Sequence, residues 1–277
     1  MGILSASVSV AKSDEEKNSL QAWYWYDWAN QAFALTVLTV VVPALTAGMY
    51  NTATGTQSGD SFYALVLGLS SLFVAVVSPV LGAVADRIEI KKKILWAYTI
   101  VGVVFTALMG LAPYLGEGTD YMFLAVCLVV GNIGFAGGNV IYYAFMPYLS
   151  RKEDADHVSS WGYAYGFMGG SSLLIIHLGL GLGFGFSPGI LAFIFVTSAL
   201  WWLGWGYQLF LKTPEPSLPN PKEYDGWVDA VKDGINEVVN SFREIRKYKS
   251  LSIFLVSYLL FFDGVNTIGG IASAYGE

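Results

Sequence analysis

The placement of lysine and arginine restricts this chain more than any other feature. Seven stretches of largely apolar sequence carry neither residue: 25–49, 62–84, 94–115, 122–145, 160–182, 189–211 and 251–275. A helix crossing the hydrocarbon core of a bilayer needs about 20 apolar residues, so each stretch reads as one crossing. The fifteen Lys and Arg fall in four connecting segments. Lys12 and Lys17 precede the first stretch, and Arg87, Lys91, Lys92 and Lys93 lie between the second and third. Arg151 and Lys152 lie between the fourth and fifth, and seven more run from Lys212 to Lys249 between the sixth and seventh. Segments 50–61, 116–121 and 183–188 have none. Basic loops resist translocation, so the alternation predicts a cytoplasmic N-terminus and cytoplasmic basic loops. It also supports the number of crossings independently, because a missed or added helix would scramble it.

The composition agrees with an all-α integral membrane fold. The chain is 55% hydrophobic and 13% charged, whereas a soluble domain carries about 25% charged residues. No basic patch is interleaved with aromatics, which argues against a nucleic-acid partner. One cysteine, Cys127, excludes an internal disulfide and a cysteine-cluster metal site. Its apolar surroundings in sequence suit a small buried hydrophobe. No metal or other cofactor is expected. Residues 1–22 lack the basic start of a signal peptide, and "SDEEKNS" interrupts them early. Ala6 stands where myristoylation wants Ser or Thr. The expected organisation is a cytoplasmic tail over 1–22 and a six-helix bundle over 23–211. A cytoplasmic linker over 212–250 and a seventh helix over 251–277 follow.

Pro43 and Pro79 fall inside the first two crossings, where neighbouring helices can satisfy the carbonyls they free. Gly162, Gly166 and Gly170 recur every fourth residue in the fifth helix, as Gly134 and Gly138 do in the fourth. Such stripes let helix backbones approach closely in lipid. Tight static packing is the plainer expectation, and a sliding surface is the functional one. In the linker, "TPEPSLPNP" reads as extended chain. After it, Trp227, Val231, Ile235, Val238, Phe242 and Ile245 recur at helical spacing with charge between them, the pattern of an amphipathic helix on the cytoplasmic face.

Ionisable residues within the crossings are few, because each costs roughly 2.5–3.5 kcal/mol at the bilayer centre. They are Asp27, His177 and Asp263. Asp27 lies within "WYWYDWANQAF", and Asn30 and Gln31 share its helical face. The surrounding rings fit an interfacial belt, which would put Asp27 near the cytoplasmic border. The competing reading makes Asp27 a helix N-cap. Asp263 and Asn266 repeat the Asp-x-x-Asn spacing, with Asp263 roughly 18 Å into its helix at 1.5 Å per residue. Asn132 and Asn139 lie seven residues apart on one face of the fourth helix, with Tyr142 and Tyr143 near its end. His177 suits either a hydrogen bond to a neighbouring carbonyl or a role in proton transfer.

Two groups of residues carry a resemblance. "GAVADRIEIKKK", with Gly82, Asp86, Arg87, Lys91 and Lys92, resembles the signature loop of the major facilitator superfamily, departing from it at Glu89 and Ile90. "YDWANQAFA", "YAFMPYLS", "SSWGYAYGFMGG" and "FDGVNTI" resemble a narrower branch, the unknown major facilitator family, which includes fungal autophagy-related vacuolar amino-acid effluxers. The resemblance implies twelve helices in two six-helix halves, each of 3+3 inverted repeats, moving by alternating access. It gives the loop around Asp86 a gating role against helix 11. The chain is then expected to be a first half plus one helix, needing the missing C-terminal half or another subunit for transport.

The resulting expectation is a secondary transporter, or a fragment of one, in the cell membrane. It would move a small solute with H+, and the resemblance implies amino acids or similar molecules. A pathway with carboxylates and amides but no embedded cation suits an ammonium group, a zwitterion or a neutral solute. Two alternatives are a seven-helix receptor or photoreceptor, and an intramembrane aspartyl protease using Asp27 and Asp263 as a dyad. The retinal type fails for want of a lysine in 251–275.

Overall fold

The computed structural model describes residues 3–218, 221, 222 and 224–271. The side chains of Ile3, Leu4, Trp227, Phe262, Asp263, Asn266, Thr267 and residues 269–271 lie outside the description. Among the described residues, six helices are long and apolar enough to cross a membrane: α1 (Asp14–Thr54), α2 (Gly59–Ala85), α3 (Lys91–Tyr114), α4 (Thr119–Leu149), α5 (Lys152–Phe184) and α6 (Pro188–Lys212). The amphipathic helix α7 (Trp227–Ile245) and the apolar helix α8 (Lys249–Ile271) follow. The 23 residues of α8 make it about 34 Å long, the length scale of a crossing. Each connection that lacks Lys and Arg is a tight turn. Gly55, Gly118 and Gly185 take positive φ in them, a conformation L side chains rarely adopt.

α1 starts earlier than the apolar pattern suggests. Ser13 caps it by accepting the Glu16 amide at 3.1 Å, and Asp14, Glu15 and Glu16 fill the first turn, where the helix dipole favours acids. Residues 14–22, expected to be tail, are therefore helix, and Leu20 and Ala22 are buried. The polar "SDEEKNS" that looked like an interruption is a helix start. Farther on, Phe33–Val41 widens into π-helical geometry before Pro43. The ring of Pro43 would crowd the carbonyl four residues back in a regular helix, and the wider turn accommodates it. α1 runs on unbroken, and so does α2 through Pro79.

The bundle is built around α1. One apolar core joins Phe33, Val37 and Val41 to Met109, Leu124, Leu128, Phe195 and Trp202. A second, at the end carrying the basic loops, joins Trp23, Tyr24 and Tyr26 to Leu95, Tyr142, Phe145, Tyr165 and Leu209. α2 is the least enclosed crossing, and Leu65, Leu69, Leu72, Phe73 and Val76 are all more than half exposed.

α7 packs on the bundle through its small residues. Ala230 and Gly234 meet the last turns of α2, where a Cβ on Gly234 would stand 3.0 Å from Val84 and 3.3 Å from the Val80 carbonyl. Val231, Ile235 and Phe242, from the apolar stripe of the helix, are exposed. The small residues allow the closer approach, so they rather than the bulky ones make the helix contact.

Candidate functional site

The run Trp23–Gln31 lies in the body of α1 and its rings reach four neighbouring helices. Trp23 stacks on Tyr142 of α4 with centroids 4.6 Å apart. The Trp23 indole donates to the Tyr142 carbonyl at 3.1 Å, and the Tyr142 hydroxyl donates to the Trp23 carbonyl at 3.1 Å. Tyr24 stacks on Tyr165 of α5, and its hydroxyl donates to the Ser7 carbonyl at 3.1 Å. Tyr26 and Thr99 of α3 share a 2.7 Å hydrogen bond. Thr99 spends its own hydrogen on the Leu95 carbonyl, so Tyr26 is the donor. Trp25 and Trp28 stack on Trp205 and Trp201 of α6. Trp23, Tyr24 and Tyr26 are at most 2% exposed. This corrects the expected interfacial belt: Trp23, Tyr24 and Tyr26 are core, and Trp25 and Trp28 are half-buried against α6.

Asp27 sits inside this aromatic packing and is 3% exposed. The cap reading is also corrected, since the helix starts thirteen residues before it, at Asp14. Its Oδ1 has no hydrogen-bond partner among the described residues. The space for Asp27 comes from Gly166 of α5: a Cβ there would lie 2.5 Å from Asp27 Oδ2 and 2.9 Å from the Gln31 side chain. The whole glycine stripe serves α1 in this way. Gly162 receives Trp23, Gly169 receives Trp28, and Gly170 receives the Gln31 carbonyl and Leu35. The stripe on α4 does the same for α3, with Gly134 against the Gly102 backbone and Gly138 beside Tyr98.

Asn30, one turn beyond Asp27, faces α4 instead. Its Nδ2 donates to Asn139 Oδ1 at 2.6 Å, and its own Oδ1 is unpartnered among the described residues. Asp27, Asn30, Gln31 and Asn139 thus cluster where α1 meets α4 and α5. Two expected members are elsewhere. Asn132 is buried against α2, donating to Ser70 Oγ at 2.9 Å. His177 lies eleven residues beyond Gly166 on α5, about 16 Å along the axis. There its Nε2 meets Thr197 of α6 at 2.9 Å. Thr197 donates to the Phe193 carbonyl at 2.6 Å, so His177 Nε2 carries the hydrogen and the pair ties α5 to α6. Asp263 and Asn266 belong to α8, and their side chains lie outside the described residues, as does any dyad with Asp27.

The loop between α2 and α3 forms a second polar constellation. Asp86 ends α2 and pairs with Lys91 at 3.0 Å. Lys91 is only 1% exposed. It also donates to the Ala85 carbonyl at 2.8 Å and lies over the Tyr148 ring at 5.1 Å. Gly82 faces open space. The rest of the loop grips the linker and α7. Lys92 donates to the Thr213 carbonyl at 2.7 Å, Glu89 accepts the Leu218 amide at 2.8 Å, and the Lys222 amide donates to the Arg87 carbonyl at 2.9 Å. The Arg87 guanidinium pairs with Asp233 and, at 2.6 Å, with Glu237. Tyr224 and Lys222 donate to the same Asp233 oxygen at 2.5 and 2.9 Å. The Tyr224 hydroxyl, the Lys222 ammonium and the Arg87 guanidinium together hold the Asp233 carboxyl well below the usual carboxylate range. Sequence reading missed this clamp. Its one visible signal was the Asp233/Glu237 pair, four residues apart and hence on one helix face.

An all-helical bundle of six apolar crossings, with a signature-type loop at the end of α2 and a buried polar cluster on α1, defines a multi-pass membrane protein of the major facilitator kind. The chain belongs to the family described as "Vacuole effluxer Atg22 like", whose model matches residues 15–157 and 150–277. Among its relatives, an uncharacterized MFS-type transporter, YxiO, of Bacillus subtilis (strain 168) is 28% identical over 92% of this chain and 59% of its own length. Autophagy-related protein 22 of Kluyveromyces lactis is 23% identical over 95% of this chain and 62% of its own length. The Saccharomyces cerevisiae (S288c) protein of the same name is 20% identical over 99% and 64%. The chain thus spans about three fifths of the length of the curated relatives it matches. No solved structure matches it.

Proposed function

We propose that this chain provides a first six-helix half, a central linker and a seventh helix to a secondary transporter that moves a small solute by alternating access. Asp27 carries the proposal: it is a carboxylate enclosed among aromatic and apolar side chains, with Gln31 one turn on, and one of its oxygens has no partner among the described residues. Burying a carboxylate with one oxygen unpaired is costly, and membrane proteins keep such acids for substrate or proton pathways. Asn30 contributes a second unpaired acceptor one turn away. Among the described residues the cluster holds two unpaired acceptors and no cation, which favours a solute that brings hydrogen-bond donors, such as an ammonium group. An amino acid is the first class to test, in keeping with the effluxer description of the family. Asp27 would exchange a proton for the ammonium, coupling the two movements. Asp263 and Asn266 would supply the corresponding polar pair on α8, and Asp86 would help to close the basic face.

Lys and Arg retention supports a cytoplasmic setting for the basic loops, and solute would enter between α1, α4 and α5. The test uses the full-length protein in proteoliposomes with a panel of radiolabelled solutes. Amino acids and small amines should move, and their carboxylate analogues lacking the amine should not. Equal movement of both classes would overturn the reading of the cluster as an ammonium site.

A further inference from the structure

α7 leaves an apolar stripe uncovered. Val228, Val231, Ile235, Val239 and Phe242 are each 40% exposed or more, and they succeed one another along one side of the helix. The contact with α2 uses the neighbouring side, through Ala230 and Gly234. Charge is sorted around the stripe. At 100° per residue, Lys232, Arg243 and Arg246 fall within about 80° of its centre, whereas Asp233, Glu237 and Glu244 fall about 160–180° away. Those three acids have partners: Arg87 holds Asp233 and Glu237, and Lys247 pairs with Glu244. Asp229 and Lys247 lie between the two sides. Lys232, Arg243 and Arg246 form no ion pair among the described residues, and all three are exposed.

Position fixes what the stripe can meet. α7 is joined to α6, which ends at Lys212, and to α8, which begins at Lys249, and it rests on the final turns of α2 at Val80 and Val84. It is therefore held at the edge of the bilayer, at the end of the bundle where the basic loops lie. We propose that α7 is an anionic-lipid contact. The stripe enters the boundary between headgroups and acyl chains, while Lys232, Arg243 and Arg246 extend along its edge to lipid phosphates and acidic headgroups. Asp233 and Glu237 stay on the far side because Arg87 and its loop hold them there. The clamp thereby sets the roll of the helix, and its roll selects the lipid charge.

The test places an environment-sensitive bimane label on Ile235→Cys in the full chain. Cys127 is buried and stays unmodified, with the unsubstituted chain as the labelling blank. The labelled protein goes into vesicles of phosphatidylcholine alone or of phosphatidylcholine and phosphatidylglycerol at about 7:3, each carrying shallow-brominated lipid. Quenching at position 235 should be at least about twofold stronger in the anionic vesicles, and a label on Asn240→Cys, on the opposite side, should stay weakly quenched. K232Q/R243Q/R246Q should return position 235 to its level in neutral vesicles. Equal quenching in both vesicles, or equal quenching at 235 and 240, overturns the proposal. So does self-quenching that follows the protein-to-lipid ratio instead of lipid charge, which would make the stripe a contact between two copies of the chain.

Discussion

Gly166 of α5 faces Asp27 of α1 so closely that a methyl group in its place would stand 2.5 Å from the carboxylate oxygen. The acid is therefore held by the absence of a side chain on a neighbouring helix. Gly166→Ala forces α1 and α5 apart or turns Asp27, and overpacking of this kind costs about 1–3 kcal/mol. Gly179→Ala on the same helix meets nothing within 4 Å and serves as the control. It should be neutral or stabilising by up to about 1 kcal/mol, since alanine is the better helix former. Thermal unfolding in detergent should separate the two substitutions; equal effects would show that the glycine track does not seat α1.

The two asparagines of α4 should part company. Asn139→Ala leaves the buried Asn30 amide without its acceptor, and Asn132→Leu removes the bond to Ser70. Each lost interhelical hydrogen bond should lower stability by about 0.6–2 kcal/mol. Only Asn139→Ala should also weaken solute affinity in a binding titration, because Asn132 faces α2 and not the cluster around Asp27.

Arg87→Ala should release α7. Hydrogen exchange over residues 224–245 should rise severalfold while the exchange of α1 stays unchanged, because the clamp touches the linker and α7 rather than the bundle core.

The same clamp sets a pH dependence. The folded-state pKa of Asp233 is depressed, so its contribution is fully present above the unfolded carboxylate value of about 3.9. It is lost only as pH falls below that value toward the folded one. Exchange in α7 should therefore be flat between pH 8 and 5, after correction for intrinsic rates, and should rise below about pH 4. A transition near pH 6 would contradict the assignment.

Much of the fold was legible because two independent signals agreed: apolar runs set the crossings, and Lys and Arg marked alternate connections. The details that failed depend on which helix stands opposite. The rings around Asp27 read as a belt because Trp and Tyr favour headgroups, and nothing local says that α1 is surrounded by α3, α4, α5 and α6. Asn132 and Asn139 share a helical face, yet they meet different helices about 10 Å apart along the axis. The Arg87–Asp233 pair spans 146 residues of sequence, so no periodicity could announce it. The start of α1 was missed for a different reason: its first turns are polar, and a search for apolar length passes over a capped helix end.

The central claim is that Asp27 couples proton and solute, and Asp27→Asn in the full-length protein tests it most directly. The substitution keeps the size and burial of the side chain and removes its ionisation. In proteoliposomes with an imposed pH gradient, the account predicts that D27N loses accumulation of the transported solute by about tenfold or more, the scale of losing one charge-assisted contact. Accumulation undiminished by D27N under the same gradient would contradict it.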